Sequence, residues 1–213
     1  YSLELTIQSL KLEILNKIKL VFRNPNDIVT PLEKDKFIVL HSLDYSFNLD
    51  KTREDIYKRC SEVIERLKEN GVMVSIGIGS FAQNITELSK SYKDAWQALE
   101  IGKKICDTPQ IHVSNDYRIE MLLLNVKKEA SSIFMTNALN KLKSEAEWQV
   151  LSETIRVWCE SGFNQIEASK RLYIHRNTLS QRLNKISRIC EIDIKNFKDI
   201  LALYLAIIIS ELT

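Results

Sequence analysis

Between Asn164 and Cys190 the chain carries six basic residues, Lys170, Arg171, Arg176, Arg182, Lys185 and Arg188, and one acid, Glu167. That is a local balance of +5 in a chain whose formal net charge is +2, which leaves −3 for the remainder. Amide and hydroxyl side chains, Asn177, Thr178, Ser180 and Gln181, are interleaved with the bases. Arginine and lysine pair with guanine edges or phosphates, and asparagine and glutamine bond adenine bidentately. A basic island on a slightly acidic body is the electrostatic footprint of a module that reads double-stranded DNA.

Other chemistries find little support. His175 has no partner His or Cys at ligand spacing, so no metal is expected. Ser75 and Ser80 have no His nearby in sequence, which leaves a nucleophile without a base. Cys60, Cys106, Cys159 and Cys190 form no CxxC pair, and are read as reduced, partly buried thiols of a cytoplasmic protein. No catalytic residue and no cofactor is expected.

The basic island needs two short helices and a tight turn to present it. Ala168 and Ser169 supply the small pair where the helices cross, Leu172 a core contact, and Tyr173 to His175 the turn. Leu179 and Leu183, four residues apart, dock the second helix, with Ile186 on the same apolar face. Arg176, Asn177, Ser180, Gln181 and Lys185 are left pointing outward. Thr178 and Arg182 complete the expected DNA contacts on this helix, Arg182 partly toward phosphate. Asn164 and Gln165, at the start of the first helix, are expected to touch backbone phosphates. His175 is counted among the contacts, with a cap or a packing role in the turn equally open. The plain alternative is a solvated basic helix in an all-α bundle. Turn spacing, small pair and amide-rich outer face occurring together favour DNA.

The rest of the chain divides in two. Apolar residues Leu3, Ile7, Leu10, Ile14 and Ile18 recur at helical spacing over residues 3–22, a helix ended by Asn24-Pro25-Asn26. Short apolar runs at 28–29 and 37–40 flank a charged turn and predict a β-hairpin. Residues 52–68 predict an amphipathic helix stopped by Asn70-Gly71. The segment 72–79 reads as a strand, 86–106 as a helix and 110–113 as a short strand. From Arg118 onward no strand signal remains, and 119–126, 130–142, 152–160, 165–172, 176–190 and 197–212 all read as helices. The fold class is therefore an α+β N-terminal domain, residues 1–118, followed by an all-α domain, residues 119–213, with the helix-turn-helix at about 164–190. Only 5 Gly and 3 Pro among 213 residues argue against long structureless linkers. The apolar run 201–209 is about half the length needed to span a bilayer, so no membrane association is expected. No signal-peptide order is visible, and a start at Tyr1 rather than Met reads as a fragment of a longer chain.

The run Leu172-Tyr173-Ile174-His175-Arg176-Asn177-Thr178-Leu179, followed by Arg182-Leu183 and Lys185-Ile186, resembles the C-terminal helix-turn-helix of the PucR/CdaR family. These are bacterial regulators of purine and sugar-diacid catabolism. The helices at 152–160 and 201–209 fit the same pattern. Two positions depart from it: Gln181 stands where the family usually has Tyr, and Ser169 where it has a second Ala. The first bears on base preference and the second is a mild packing change.

Ile76-Gly77-Ile78-Gly79, with Leu88, Ser91-Tyr92, Asp94-Ala95 and Ala98-Leu99, resembles the GGDEF-like domain that precedes this helix-turn-helix in the CdaR branch. Enzymatic GGDEF domains carry their signature on a hairpin turn, where glycines admit the nucleotide and carboxylates hold metal ions. Here the turn is Glu33-Lys34-Asp35-Lys36-Phe37. Both glycines are absent and Lys36 replaces the second acid, so the domain is expected to be degenerate and non-catalytic. Gly77 and Gly79 are read as permitting close packing of a strand on a helix. Asp94, Glu100 and Asp107 are read as solvated acids, and Trp96, Trp148 and Trp158 as core residues.

The resemblance implies a sequence-specific transcriptional regulator of a catabolic operon, with a metabolite effector sensed on a region upstream of this chain. One module buries too little surface for tight specific binding, so a homodimer is expected. The alternative is a ligand- or nucleotide-sensing signalling module whose basic helix binds a protein partner.

Overall fold

The computed structural model describes residues 2–33, 35–43, 49–105, 108 and 110–213. The chain divides into two compact units, Tyr1–Asp116 and Tyr117–Thr213. The first is a mixed α/β unit with small sheets and the second is all-α. Lys34, Cys106 and Asp107 lie outside the described residues.

In the first unit, α1 (Ser2–Val21) leads into the strands β1 (Ile28–Pro31) and β2 (Phe37–Leu40). The two strands pair antiparallel from Ile28↔Leu40 to Pro31↔Phe37, as the hairpin pattern predicts. α2 (Leu49–Lys68) is stopped where Gly71 takes φ +74°, with Gly71 N–H donating to the Lys68 carbonyl and Val72 N–H to that of Leu67. Ile18, Val21 and Phe22 bury against Cys60, Val63 and Leu67, so α1 and α2 share one apolar seam. Burial pushes the Cys60 thiol up to about 12, which leaves it an inert packing group.

β3 is shorter than its sequence suggests. It spans Ile76–Ile78 and pairs in parallel with β4 (Ile111–Val113), joined by the crossover helix α3 (Leu88–Ile105). Val72 and Val74 pack on the α1–α2 core without joining the ladder, so β-branched content overstated the strand. Among the described residues the strands form two two-stranded sheets rather than one. Gly77 and Gly79 lie against the α3 backbone. A Cβ on Gly77 would stand 2.2 Å from the Ala95 carbonyl oxygen, and one on Gly79 2.0 Å from that of Ser91. Asp94 differs from its expectation: it is half-buried and accepts from the Ser80 hydroxyl at 2.5 Å.

The second unit contains α4 (Arg118–Leu123), α5 (Lys128–Lys143), α6 (Trp148–Glu160), α7 (Gln165–Arg171), α8 (Arg176–Cys190) and α9 (Phe197–Leu212). Leu139, Leu142, Leu151, Ile155, Leu179, Ile186, Ile200 and Ile207 form a core from α5, α6, α8 and α9. Trp148 and Trp158 are partly buried against it. Among the described residues no helix is long and apolar enough to cross a membrane.

Candidate nucleic-acid interface

Local chemistry fixes where each helix of the motif begins. Asn164 precedes α7 in extended conformation, and its side-chain oxygen accepts from Ile166 N–H at 3.0 Å and Glu167 N–H at 3.1 Å. That is an N-cap, which satisfies donors the helix cannot satisfy itself. His175 does the same for α8, its Nδ1 accepting from Asn177 N–H at 3.2 Å. Of the two turn roles left open by sequence, the structure shows the cap. Asn196 caps α9 through Lys198 N–H.

Burial then sets the direction in which α8 faces. Leu179 and Ile186 are fully buried and Leu183 nearly so, on one face of the helix. Ala168 and Ser169 are buried on α7, and the Ser169 hydroxyl donates to the Ile166 carbonyl at 2.9 Å. Its hydroxyl is thereby satisfied within its own helix, so the departure from Ala leaves no unpaired group. The opposite face of α8 carries Asn177, Gln181, Asn184 and Arg188, all exposed, at successive spacings of four, three and four. Arg176 is exposed beside them at the first helical position. Their donors and acceptors match what base edges and phosphates offer.

Other residues expected to point outward are turned to internal partners. Gln165 Nε2 donates to Ser180 Oγ at 2.6 Å and to the Arg176 carbonyl at 3.3 Å, joining α7 to α8. Lys185 Nζ lies 2.7 Å from Glu147 Oε2 and 3.7 Å from Glu145 Oε2. The Lys185 hydrogen bond holds the Glu147 carboxyl below its ordinary range, and Glu147 in turn raises the lysine. Arg182 is half-buried, with Nη1 3.4 Å from the buried Thr154 hydroxyl on α6. Thr178 is half-buried. The structure therefore groups Asn177 and Gln181 on the free face, with Arg176 exposed at the start of the helix, and ties Asn164, Gln165, His175, Ser180, Arg182 and Lys185 to partners within the unit.

Lys170 and Arg188 of the basic island, with Asn184 and Tyr173, are also exposed on these elements, although the sequence did not place them among the expected contacts. Asn184 and Arg188 were detectable, since they continue the spacing begun by Asn177 and Gln181. Tyr173 had no such signal. Arg171 is occupied, its guanidinium 2.7 Å from the Glu160 carboxylate.

In the first unit the turn before β2 holds a cation where a metal-binding carboxylate would stand. Lys36 Nζ lies 4.2 Å from the Trp96 ring centroid and 3.7 Å from Glu33. Trp96 is thus half-buried beneath a lysine. Among the described residues no group of three His, Cys, Asp or Glu is placed to hold a metal ion.

Residues 151–209 match the PucR C-terminal helix-turn-helix domain family and residues 6–101 the GGDEF-like domain family. The chain is 28% identical over 187 residues to the carbohydrate diacid regulator of Escherichia coli (strain K12), covering 87% of this chain and 48% of that protein. It is 29% identical over 189 residues to the DNA-binding transcriptional activator AdeR of Bacillus subtilis (strain 168), covering 84% and 43%. It is 30% identical over 135 residues to the purine catabolism regulatory protein of the same organism, covering 63% and 25%. The chain spans less than half the length of each of these relatives. Its helix-turn-helix is homologous to that of PucR and its first unit to GGDEF-like domains.

Proposed function

We propose that this chain is the DNA-binding part of a transcriptional regulator of a catabolic operon. The observation that carries the reading is the exposed stripe Asn177, Gln181, Asn184 and Arg188, with Arg176 beside it, opposite the buried Leu179, Leu183 and Ile186. α8 is the helix laid in the major groove. Arg176, Asn177 and Gln181 read base edges, while Lys170 and Arg188 meet phosphates. Gln165, Ser180, Arg182, Lys185 and the caps Asn164 and His175 fix its orientation. The protein acts as a homodimer on two half-sites, because one such module buries only about 600–1,000 Å². The GGDEF-like unit has no cyclase role, since Lys36 opposes a divalent cation at the hairpin turn. A metabolite effector acts through a region outside this chain, and the protein works in the cytoplasm, where its DNA lies. The relatives named as regulators of carbohydrate diacids and of purine catabolism support the operon assignment.

The test is selection of bound duplexes from a random pool with the purified chain, followed by titration across salt concentrations. An enriched sequence with two related half-sites, bound with an affinity that falls linearly in log salt, is expected. Failure to enrich any duplex, with the chain folded, overturns the reading.

A further inference from the structure

Among the described residues three non-glycine positions take positive φ: Phe163 (61°), Tyr173 (53°) and Glu191 (55°). In that region Cβ crowds the following carbonyl, so an L side chain enters it at an energetic cost. For two of the three, the compensation is visible in the fold. The Phe163 ring meets Trp158 and Phe197 edge-on, at centroid distances of 5.8 and 6.4 Å. The Glu191 carboxylate lies 2.7 Å from Lys141 Nζ. Tyr173 has no ring contact and no hydrogen bond through its hydroxyl among the described residues, and the residue is 96% exposed.

The turn itself does not ask for tyrosine. α7 closes with Tyr173 N–H donating to the Lys170 carbonyl at 3.1 Å and Ile174 N–H to that of Ser169 at 3.0 Å. This is the Schellman pattern, which glycine suits best. α2 closes by the same pair of bonds with Gly71 in the left-handed position, and α6 with Gly162. At those two helix ends the left-handed position is glycine, whereas α8 ends on Glu191 and α7 on Tyr173. At Tyr173 the chain accepts both backbone strain and an apolar ring in water, and nothing among the described residues offsets either.

We propose that Tyr173 is a DNA-contacting residue whose phenol donates to a backbone phosphate flanking the groove that α8 enters. The assignment rests on the DNA-binding reading above. Three peptide units, at most about 11 Å, separate its Cα from that of Arg176, so the phenol stands beside the end of α8 that meets the base pairs. Tyrosine hydroxyls are among the donors that fix register on phosphates without reading sequence. A neutral phenol releases no counterion, which separates it from the lysines and arginines around it.

The experiment uses the whole chain and two labelled duplexes, one enriched by selection and one random. Wild type is compared with Tyr173→Phe, Tyr173→Gly and Arg176→Ala. Tyr173→Phe should weaken both duplexes about tenfold, the low end for a hydrogen bond to a charged acceptor, with the salt slope unchanged. Tyr173→Gly should weaken them at least as much while raising the melting temperature, because glycine relieves the left-handed strain. Wild-type affinity in both Tyr173 variants, with Arg176→Ala weakened, overturns the contact and leaves the DNA reading standing. Loss in Tyr173→Gly alone assigns the ring rather than the hydroxyl and also overturns it. Absence of any duplex binding by wild type overturns the DNA reading, and this contact falls with it.

Discussion

Gln165 Nε2 lies 2.6 Å from Ser180 Oγ, so the first residue of α7 is tied to the second turn of α8. Both side chains have the chemistry of DNA contacts, yet each is held by the other. Ser180→Ala should cost about 0.5–1.5 kcal/mol of stability, the usual net worth of one hydrogen bond. Urea unfolding of Gln165→Ala, Ser180→Ala and the double variant checks this. The double variant should lose less than the sum of the singles, since one bond is removed in each case.

Lys185 is the cation on α8 held by two carboxylates, from Glu147 and Glu145. Removing the nearer carboxylate should free it for phosphate. Glu147→Gln is expected to tighten duplex binding and to steepen the salt dependence by up to about one counterion. Titration at several salt concentrations measures both. An unchanged slope would show that Lys185 faces away from the duplex.

Gly77 stands where a side chain would meet main chain rather than a flexible tip. A Cβ there is placed 2.2 Å from the Ala95 carbonyl oxygen and 3.0 Å from Leu99 Cβ. Gly77→Ala should therefore destabilise the first unit by about 1–3 kcal/mol, the range for overpacking. Denaturant unfolding followed by circular dichroism tests it. Gly71→Ala, with nothing within 4 Å but φ +74°, should cost about 1 kcal/mol through backbone conformation alone.

How far could these features be read from the residues? The bounds of α8 and α9, and the inward set Leu179, Leu183 and Ile186, follow from period and punctuation. So do the β1–β2 hairpin and the packing role of Gly77. The length of β3 does not, because Val72 and Val74 are as β-branched as any strand but face a helix seam. Partners distant in sequence were equally hidden: Lys185 and Glu147 are 38 residues apart, and no local pattern joins them. Arg182 was within reach. It lies between Leu179 and Ile186 on the helix, at the edge of the buried face rather than on the free one.

Carboxyls in the second unit give its stability a pH dependence. Burial, then the nearby Glu160, raises Glu120 above the ordinary carboxyl range, with its own backbone hydrogen bond opposing. Glu211 is likewise raised, first by burial. A folded-state value above the unfolded one means that the protonated form is favoured by folding. The resulting stabilisation is present below the unfolded pKa and is lost as pH rises through the folded value. Glu120→Gln should thus melt higher than wild type at pH 7, and the gap should close near pH 4. Thermal melts at the two pH values check the sign.

The capping pattern of the second unit carries a dynamic consequence. α7, α8 and α9 each begin on a side chain that accepts from their first turn, Asn164, His175 and Asn196. α4, α5 and α6 begin on Tyr117, Lys127 and Glu147, none of which caps its own helix. Fraying at a helix start is opposed where the first amides are bonded and permitted where they are not. Amide exchange should therefore open the first turns of α4 to α6 well before those of α7 and α8. The two helices that would meet a duplex keep their leading ends formed while the scaffold behind them breathes.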